Sequence, residues 1–314
     1  MIERARRAGA GRLALGVVLF AAFADLALVA LPLFFLMLAS SSRRRNEVLA
    51  AAVAAVFAFW WLLTAGPLPQ QTLRAAAIIG AAAFTVAAGV SHWTTIHRSL
   101  AAISAATVGV AIGFVLLKLS WREMHWTVQH QIASLLAGTI WPGPVPPTES
   151  PAIVSTVINQ PGWGAAAHII ADYYPAIIAL EMIVSFALVN ALYHRISRTP
   201  WGLPLGQLRD FRFSEHLGWA AVIPLVILLL AKLSAIKLAA SNVLVVVSVL
   251  YAARGVAVVS FILSAFGGGF VLNALIWLAV LFMLPVMLAG AIVLGLVDSR
   301  VDLRDRWTAA RSNR

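Results

Sequence analysis

The chain has 314 residues, of which 61% are hydrophobic and 11% charged, with no cysteine and a formal charge of +11 at neutral pH. Eight apolar runs approach or exceed the roughly 20 residues needed to cross about 30 Å of hydrocarbon, which excludes a soluble globular core. The missing cysteines exclude disulfides, thiolate metal sites and a cysteine nucleophile.

Hydrocarbon offers the backbone no hydrogen-bond partner, so spans of this length must be helices. A transmembrane barrel would alternate polar and apolar residues over about ten positions at a time, and these runs do not. The fold class is therefore all-α: a polytopic transmembrane helical bundle of about eight spans, read as one integral membrane domain over residues 1–314. In a soluble protein the basic excess would point to nucleic acid. Here the arginines flank the spans, where they set orientation and meet anionic headgroups, so the implied partner is the lipid bilayer and not nucleic acid.

In chain order, the first span is Leu13–Ala39, preceded by Arg4, Arg6, Arg7 and Arg12. It is longer than the about 7–15 residues of a signal core, and Arg43–Arg45 follow it in place of a cleavage site, so it reads as a retained anchor. Spans two to four, Val48–Gly66, Ala75–Ser91 and Ser99–Leu117, complete an N-terminal half over residues 1–118. They carry small residues at four-residue steps: Ala50, Ala54 and Ala58, then Ala77, Ala81, Thr85 and Gly89, then Ala101, Ala105, Gly109 and Gly113. Such ladders let helix backbones approach closely and predict a tight sub-bundle.

Residues 119–171 interrupt the spans. Trp121, Met124, Val128, Ile132, Leu135 and Leu136 recur at helical steps, predicting an interfacial amphipathic helix over Trp121–Trp141. Five prolines among residues 141–151 then rule out regular structure, until Ser150 and Pro151 supply a cap and first turn for a short helix to Asn159. With Trp121, Trp126, Trp141 and Trp163, this segment reads as an interfacial belt, with a lid over a cavity as the alternative. Four further spans follow over residues 172–297, namely Asp172–Tyr193, Gly218–Ala239, Ser241–Phe266 and Phe270–Val297, before a charged tail over 298–314.

Orientation is conflicted. The loop Arg195–Arg212 and the C-terminal tail are both basic, yet three crossings would place them on opposite faces. The expectation is that both termini are cytoplasmic; one resolution of the conflict is that a long proline-bearing span, the first with Asp25 and Pro32 or the last with Pro285, is broken or re-entrant.

Asp25, Glu181 and Arg254 fall near the middle of their spans, where insertion of Asp or Arg costs about 2.5–3.5 kcal/mol. Glu181 and Arg254 have opposite sign at similar depth and are paired on that ground. Lys232 lies deeper in its span than Lys237, and Asn242 and Tyr251 add polarity beside Arg254. Asp25, Glu181, Lys232, Asn242, Tyr251 and Arg254 thus form either a buried ion-pair set that fixes helix register or the lining of a ligand or proton cavity. Arg209, Asp210, Arg212 and His216, with Asp298 beyond the last span, are read as docking residues for a partner or for headgroups. In the tail, Asp302 and Arg306 stand one turn apart, predicting that the last helix continues past the membrane surface.

Motifs for common chemistries are missing: no phosphate-cradling glycine loop with its lysine, no His-Glu-x-x-His, no Gly-x-Ser-x-Gly. His125 and His130 are five apart, the wrong step for one helix face. No catalytic residue, metal ligand or cofactor is assigned and the chain is read as a non-enzyme; an intramembrane enzyme is left only through the carboxylates.

Several C-terminal segments carry a resemblance. They are Leu208-Arg-Asp-Phe-Arg-Phe-Ser-Glu-His216, Asn242-Val-Leu-Val, Leu250-Tyr-Ala-Ala-Arg254-Gly-Val-Ala257 and Gly295-Leu-Val-Asp298-Ser-Arg-Val-Asp302-Leu-Arg304. Over about residues 200–306 the chain resembles the YybS-like family of bacterial polytopic membrane proteins, whose activity is uncharacterised. That resemblance implies a multi-pass protein of the bacterial cytoplasmic membrane. The family is in turn distantly similar to the S components of energy-coupling-factor transporters, helical bundles that capture a small molecule and dock on a transmembrane coupling subunit. The implied function is a ligand-binding or transport-related component, with a non-catalytic scaffold or complex subunit as the alternative. Two departures stand beside it: only Ala10 and Ala14 match the docking stripe of those components, and eight spans exceed their usual six.

Overall fold

A computed structural model describes residues 27–40, 56, 60–64, 66–90, 92–140, 150–197, 200–265 and 284–312. Among them the regular structure is entirely helical, and the chain divides into two compact units, Met1–Leu205 and Gly206–Arg314. Four helices are long and apolar enough to cross a membrane, within Leu68–Ala88, Thr95–Leu116, Tyr174–Ile196 and Ser234–Ser264, and shorter apolar helices accompany them. This is an all-α membrane bundle. Asp25, the second span apart from a few residues, and the proline run of 141–149 lie outside the described residues.

In the first unit, α1 (Ala27–Ser40), α2 (Leu68–Ala88), α3 (Thr95–Leu116) and α7 (Tyr174–Ile196) pack around one core. Its centre is Phe84 on α2 stacked against Phe186 on α7, with ring centroids 4.5 Å apart, and Leu36, Met182 and Val189 close around them. Small residues do line the contacts, but on α3 the ladder Ala101–Ala105–Gly109–Gly113 is only partly buried, and the fully buried pair is Ala102 and Ala106. In a chain this rich in alanine, adjacent helix faces carry equally small side chains, so spacing alone does not select the face.

The intervening segment forms α4 (Trp121–Ile140), α5 (Ser150–Asn159) and α6 (Pro161–Asp172). Helix α4 buries Met124 and Val128 as its periodicity requires, whereas Leu135 is 73% exposed because Ala133 and Ala137 face the core beside it. Helix α5 starts at Ser150. Helix α6 was not expected; Pro161 begins it, at a position where a missing N–H costs no hydrogen bond. Tyr173, at φ −96° and ψ 10°, separates α6 from α7, so the fifth span begins at Tyr174 and Asp172 sits at a helix end outside it. After α7 the chain turns at Gly202, whose φ of +76° lies where side chains are disfavoured and whose Cα lies against the Arg98 guanidinium.

The second unit contains short 3₁₀ turns at Leu208–Asp210 and Glu215–Gly218, then α8 (Trp219–Leu230), α9 (Ser234–Ala265), α10 (Leu284–Val301) and α11 (Leu303–Ser312). The expected break between the sixth and seventh spans, near Ala240, falls instead at Ala231–Leu233. Twelve apolar residues end there, and α9 continues unbroken for 32. The exposed Lys232 and Lys237 explain the shift: at the turn and first helical steps their ammonium groups escape the hydrocarbon that a mid-span position would impose. Lys232 is therefore a turn residue, not a deep one.

Helices α9 and α10 are antiparallel and in backbone contact. A Cβ on Gly255 would collide with the carbonyl oxygen of Ala291, and one on Gly295 with that of Tyr251. A Cβ on Gly290 would meet nothing within 4 Å. Gly255→Ala and Gly295→Ala should therefore each lower the melting temperature in detergent, because backbone must shift. Gly290→Ala should raise it slightly, by the about 0.5–1 kcal/mol that alanine gains over glycine in a helix.

Candidate functional site, a buried arginine–aspartate network

Arg254 projects from α9, and like all helical side chains it leans toward its own N-terminus. That direction carries it to the last turn of α10, where Nε donates to Asp298 Oδ2 at 2.8 Å and Nη2 donates to the Asp298 carbonyl at 3.0 Å. Arg304, at the start of α11, donates from Nη2 to the same Asp298 Oδ2, also at 2.8 Å. The three side chains are buried, Arg254 at 2%, Asp298 at 1% and Arg304 at 3% exposure. A pair of guanidiniums thus shares one carboxylate oxygen.

The remaining donors reach the 208–216 loop. Arg304 donates to the carbonyls of Arg209, at 2.8 Å, and Phe211, at 3.1 Å, and Arg254 donates to that of Phe213 at 3.2 Å. The Arg254 guanidinium also lies 5.2 Å from the centre of the Phe213 ring, which meets Tyr251 edge-on. Outside this buried layer is an exposed one: Arg212 donates to both Asp305 oxygens, at 3.0 and 2.6 Å, and stands 3.8 Å from Asp302. Together these bonds fasten the loop and α11 to the α9–α10 pair.

The last helix does not run on. It ends at Val301, and Asp302, at φ +45°, reverses the chain so that α11 folds Arg304 back onto Asp298. Aspartate tolerates that left-handed conformation better than most residues. Asp302 consequently faces Arg212 rather than an Arg306 partner one turn along.

Of the sequence-derived residues, Arg254, Tyr251, Asp298, Arg209 and Arg212 converge here. Glu181 does not: it is exposed on α7 of the first unit, and the carboxylate that Arg254 engages is Asp298. Depth along a span indicated that Arg254 needs an anion but not which way it points. Asn242 is buried on α9 and donates to the Leu238 carbonyl of its own helix, and Lys232 is exposed at its turn. Asp210 and His216 are exposed; Asp210 lies 4.0 Å from Arg209, and the His216 backbone N–H donates to Ser214 Oγ. Sequence reasoning assigned no role to Arg304, one of the arginines of the charged tail.

It also missed Arg98, which stands between the third and fourth expected spans. Arg98 is fully buried on α3, donates from Nη2 to the Val90 carbonyl at 3.4 Å, and leaves Nε and Nη1 without hydrogen-bond partners among the described residues. Around it the post-α7 segment is pinned by Asn190 donating to the Leu203 carbonyl and by the Trp201 backbone N–H donating to the Tyr193 hydroxyl. In the second unit, Asp298 Oδ1 and Arg304 Nε are likewise buried without partners among the described residues.

Several helices of membrane-spanning length and composition define a multi-pass integral membrane protein. Residues 161–299 match a family described as "Predicted membrane protein (DUF2232)", a match that takes in α6 to α10 with Arg254 and Asp298 and stops short of Arg304. No curated protein and no solved structure matches the chain.

Two outcomes follow. Asp298→Asn leaves two buried guanidiniums uncompensated, whereas Arg254→Met leaves Asp298 still bonded to Arg304. Thermal melts should therefore show the larger loss for Asp298→Asn, on the order of the 3–5 kcal/mol typical of breaking a buried pair. The second outcome is acid sensitivity of the tail. Hydrogen bonds from Arg212 hold the Asp305 carboxyl below its ordinary value, so the contribution of this exposed clamp is complete above about pH 4 and is lost only as pH falls through the lowered value. A fluorophore on a cysteine introduced at Ala310 should keep constant anisotropy from pH 8 to about pH 5 and lose it in stronger acid. In Asp305→Asn it should be low throughout.

Proposed function

We propose that the protein is a non-catalytic, transport-related component of a membrane complex in the bacterial cytoplasmic membrane, docking on a partner subunit through the loop that the network holds. The observation that carries this reading is where the buried charges end. Arg254 and Arg304 direct their donors to Asp298 and to carbonyls of the 208–216 loop, an arrangement that orders a surface instead of preparing a reactive group. The loop then offers exposed Leu208, Arg209 and Asp210 in one fixed conformation, an apolar contact flanked by both signs of charge. The resemblance to the YybS-like family, and through it to S components that dock on a coupling subunit, supports the transport part of the reading.

A second reading, capture of a small anionic solute within the first unit, is favoured by the two nitrogens of buried Arg98 that have no partner among the described residues. One preparation separates the two. A photo-crosslinking residue replacing Arg209 in intact membranes should give a discrete protein adduct that disappears in the Asp298→Asn background, and the purified chain should retain no stoichiometric solute. Only lipid adducts at position 209 would overturn the docking role. A co-purifying anion released by Arg98→Met would establish solute capture in its place.

A further inference from the structure

We propose that His125, His168 and Asp172 form a binding site for a divalent transition-metal ion of the Zn²⁺ class, with three protein ligands and a fourth position open to the surface. This goes beyond the docking role, which needs no metal.

The site joins two helices. His168 and Asp172 are one turn apart on α6 and so share a face, while His125 approaches from the second turn of α4. His125 Nε2 is 3.0 Å from Asp172 Oδ1, and His168 Nε2 is 3.6 Å from Asp172 Oδ2; one ligand atom from each residue lies within 4.8 Å of the others. Zn²⁺ binds imidazole nitrogen and carboxylate oxygen at about 2.0–2.2 Å, so tetrahedral ligand atoms stand about 3.3–3.6 Å apart. The two separations, each to a different Asp172 oxygen, lie near that spacing, and an ion would draw in the remaining ligand atoms from as much as 4.8 Å.

The donor set also selects the metal. Two imidazoles and one carboxylate suit Zn²⁺ and its transition-metal neighbours, whereas Mg²⁺ and Ca²⁺ prefer oxygen throughout. Two further observations point to a cation. His125 Nε2 is buried yet makes no hydrogen bond of adequate geometry among the described residues, even at 3.0 Å from a carboxylate oxygen. Asp172 is the last residue of α6, where the helix presents the negative end of its dipole. Behind the ligands, Met124, Val128 and Ala171 pack α4 on α6, so the backbones that present them are held by a buried cluster. Toward the surface His168 is 57% exposed, which gives an ion a path in from water and leaves room for an exchangeable fourth ligand. An ion there would tie the amphipathic α4 to the end of α6.

The test uses the full chain without an affinity tag, stripped with chelator in detergent and titrated with Zn²⁺ by calorimetry and with Co²⁺ by visible absorption. One equivalent should bind saturably, with Co²⁺ showing the strong visible bands of four-coordination. His168→Ala, exposed enough to leave the metal-free melting temperature unchanged, should weaken binding by about a hundredfold, the upper end of what loss of an outer-shell partner costs or beyond it. Asp172→Asn should act likewise, and His130→Ala should have no effect. Absence of saturable binding, or binding that His168→Ala leaves unchanged, would overturn the site.

Discussion

The order of the second unit depends on one carboxylate. Asp298 compensates Arg254 and Arg304 through a single oxygen, and both guanidiniums are almost wholly withdrawn from solvent. A buried ion pair of this kind adds little net stability over apolar packing, since desolvation offsets much of the attraction. Its value lies in direction. Each guanidinium has five donors in a rigid fork; beside those used on Asp298, one nitrogen of Arg254 and two of Arg304 reach specified carbonyls of the 208–216 loop, so charge compensation and loop conformation are fixed by the same groups.

The same device recurs at two backbone carbonyls of the first unit. Arg98 reaches the Val90 carbonyl beyond the start of α3, and Arg74 donates to the Trp61 carbonyl at 2.7 Å while stacking on that ring. Lysine, with three donors on a strongly hydrated point charge, cannot bridge several carbonyls in this way. The chain is divided accordingly: its lysines, Lys118, Lys232 and Lys237, are all exposed, and the buried cations among the described residues are arginines. The basic excess therefore has structural duties that composition alone would assign wholly to headgroups.

Local signals in the sequence located much of this fold. Ser150 with Pro151 marked the start of α5, and Met124 and Val128 marked the buried face of α4, because caps and periodicity act over a few residues. What was not legible is what depends on azimuth or on distant partners. Arg254 was recognised as needing an anion, but Glu181 and Asp298 were both available, and only the rotation of α9 against α10 selects Asp298. The break at Asp302 was hidden for a related reason: without Arg304 folding back, nothing local to Val301 demands a reversal. His168 and Asp172 have a readable four-residue spacing, yet their third member, His125, lies on another helix. Comparing His125 only with its neighbour His130 could not find it.

The conflict among basic segments is reduced by the observed packing. Arg304 bonds to the Arg209 carbonyl, so the loop and the tail lie at the same level of α9. From that level, marked by Tyr251 beside Gly218, the chain leaves along α8, returns and passes along α9, and comes back along α10, whose Gly295 meets Tyr251 again. The hydrogen bonds thus bring the loop and the tail together at one end of the α9–α10 contact. With the loop and tail together, Arg209, Arg212, Arg304 and Arg306 gather on one side, as the preference for basic residues on a single face of a membrane favours. Asp298, Asp302 and Asp305 stand among them and limit the repulsion that such a gathering would otherwise create.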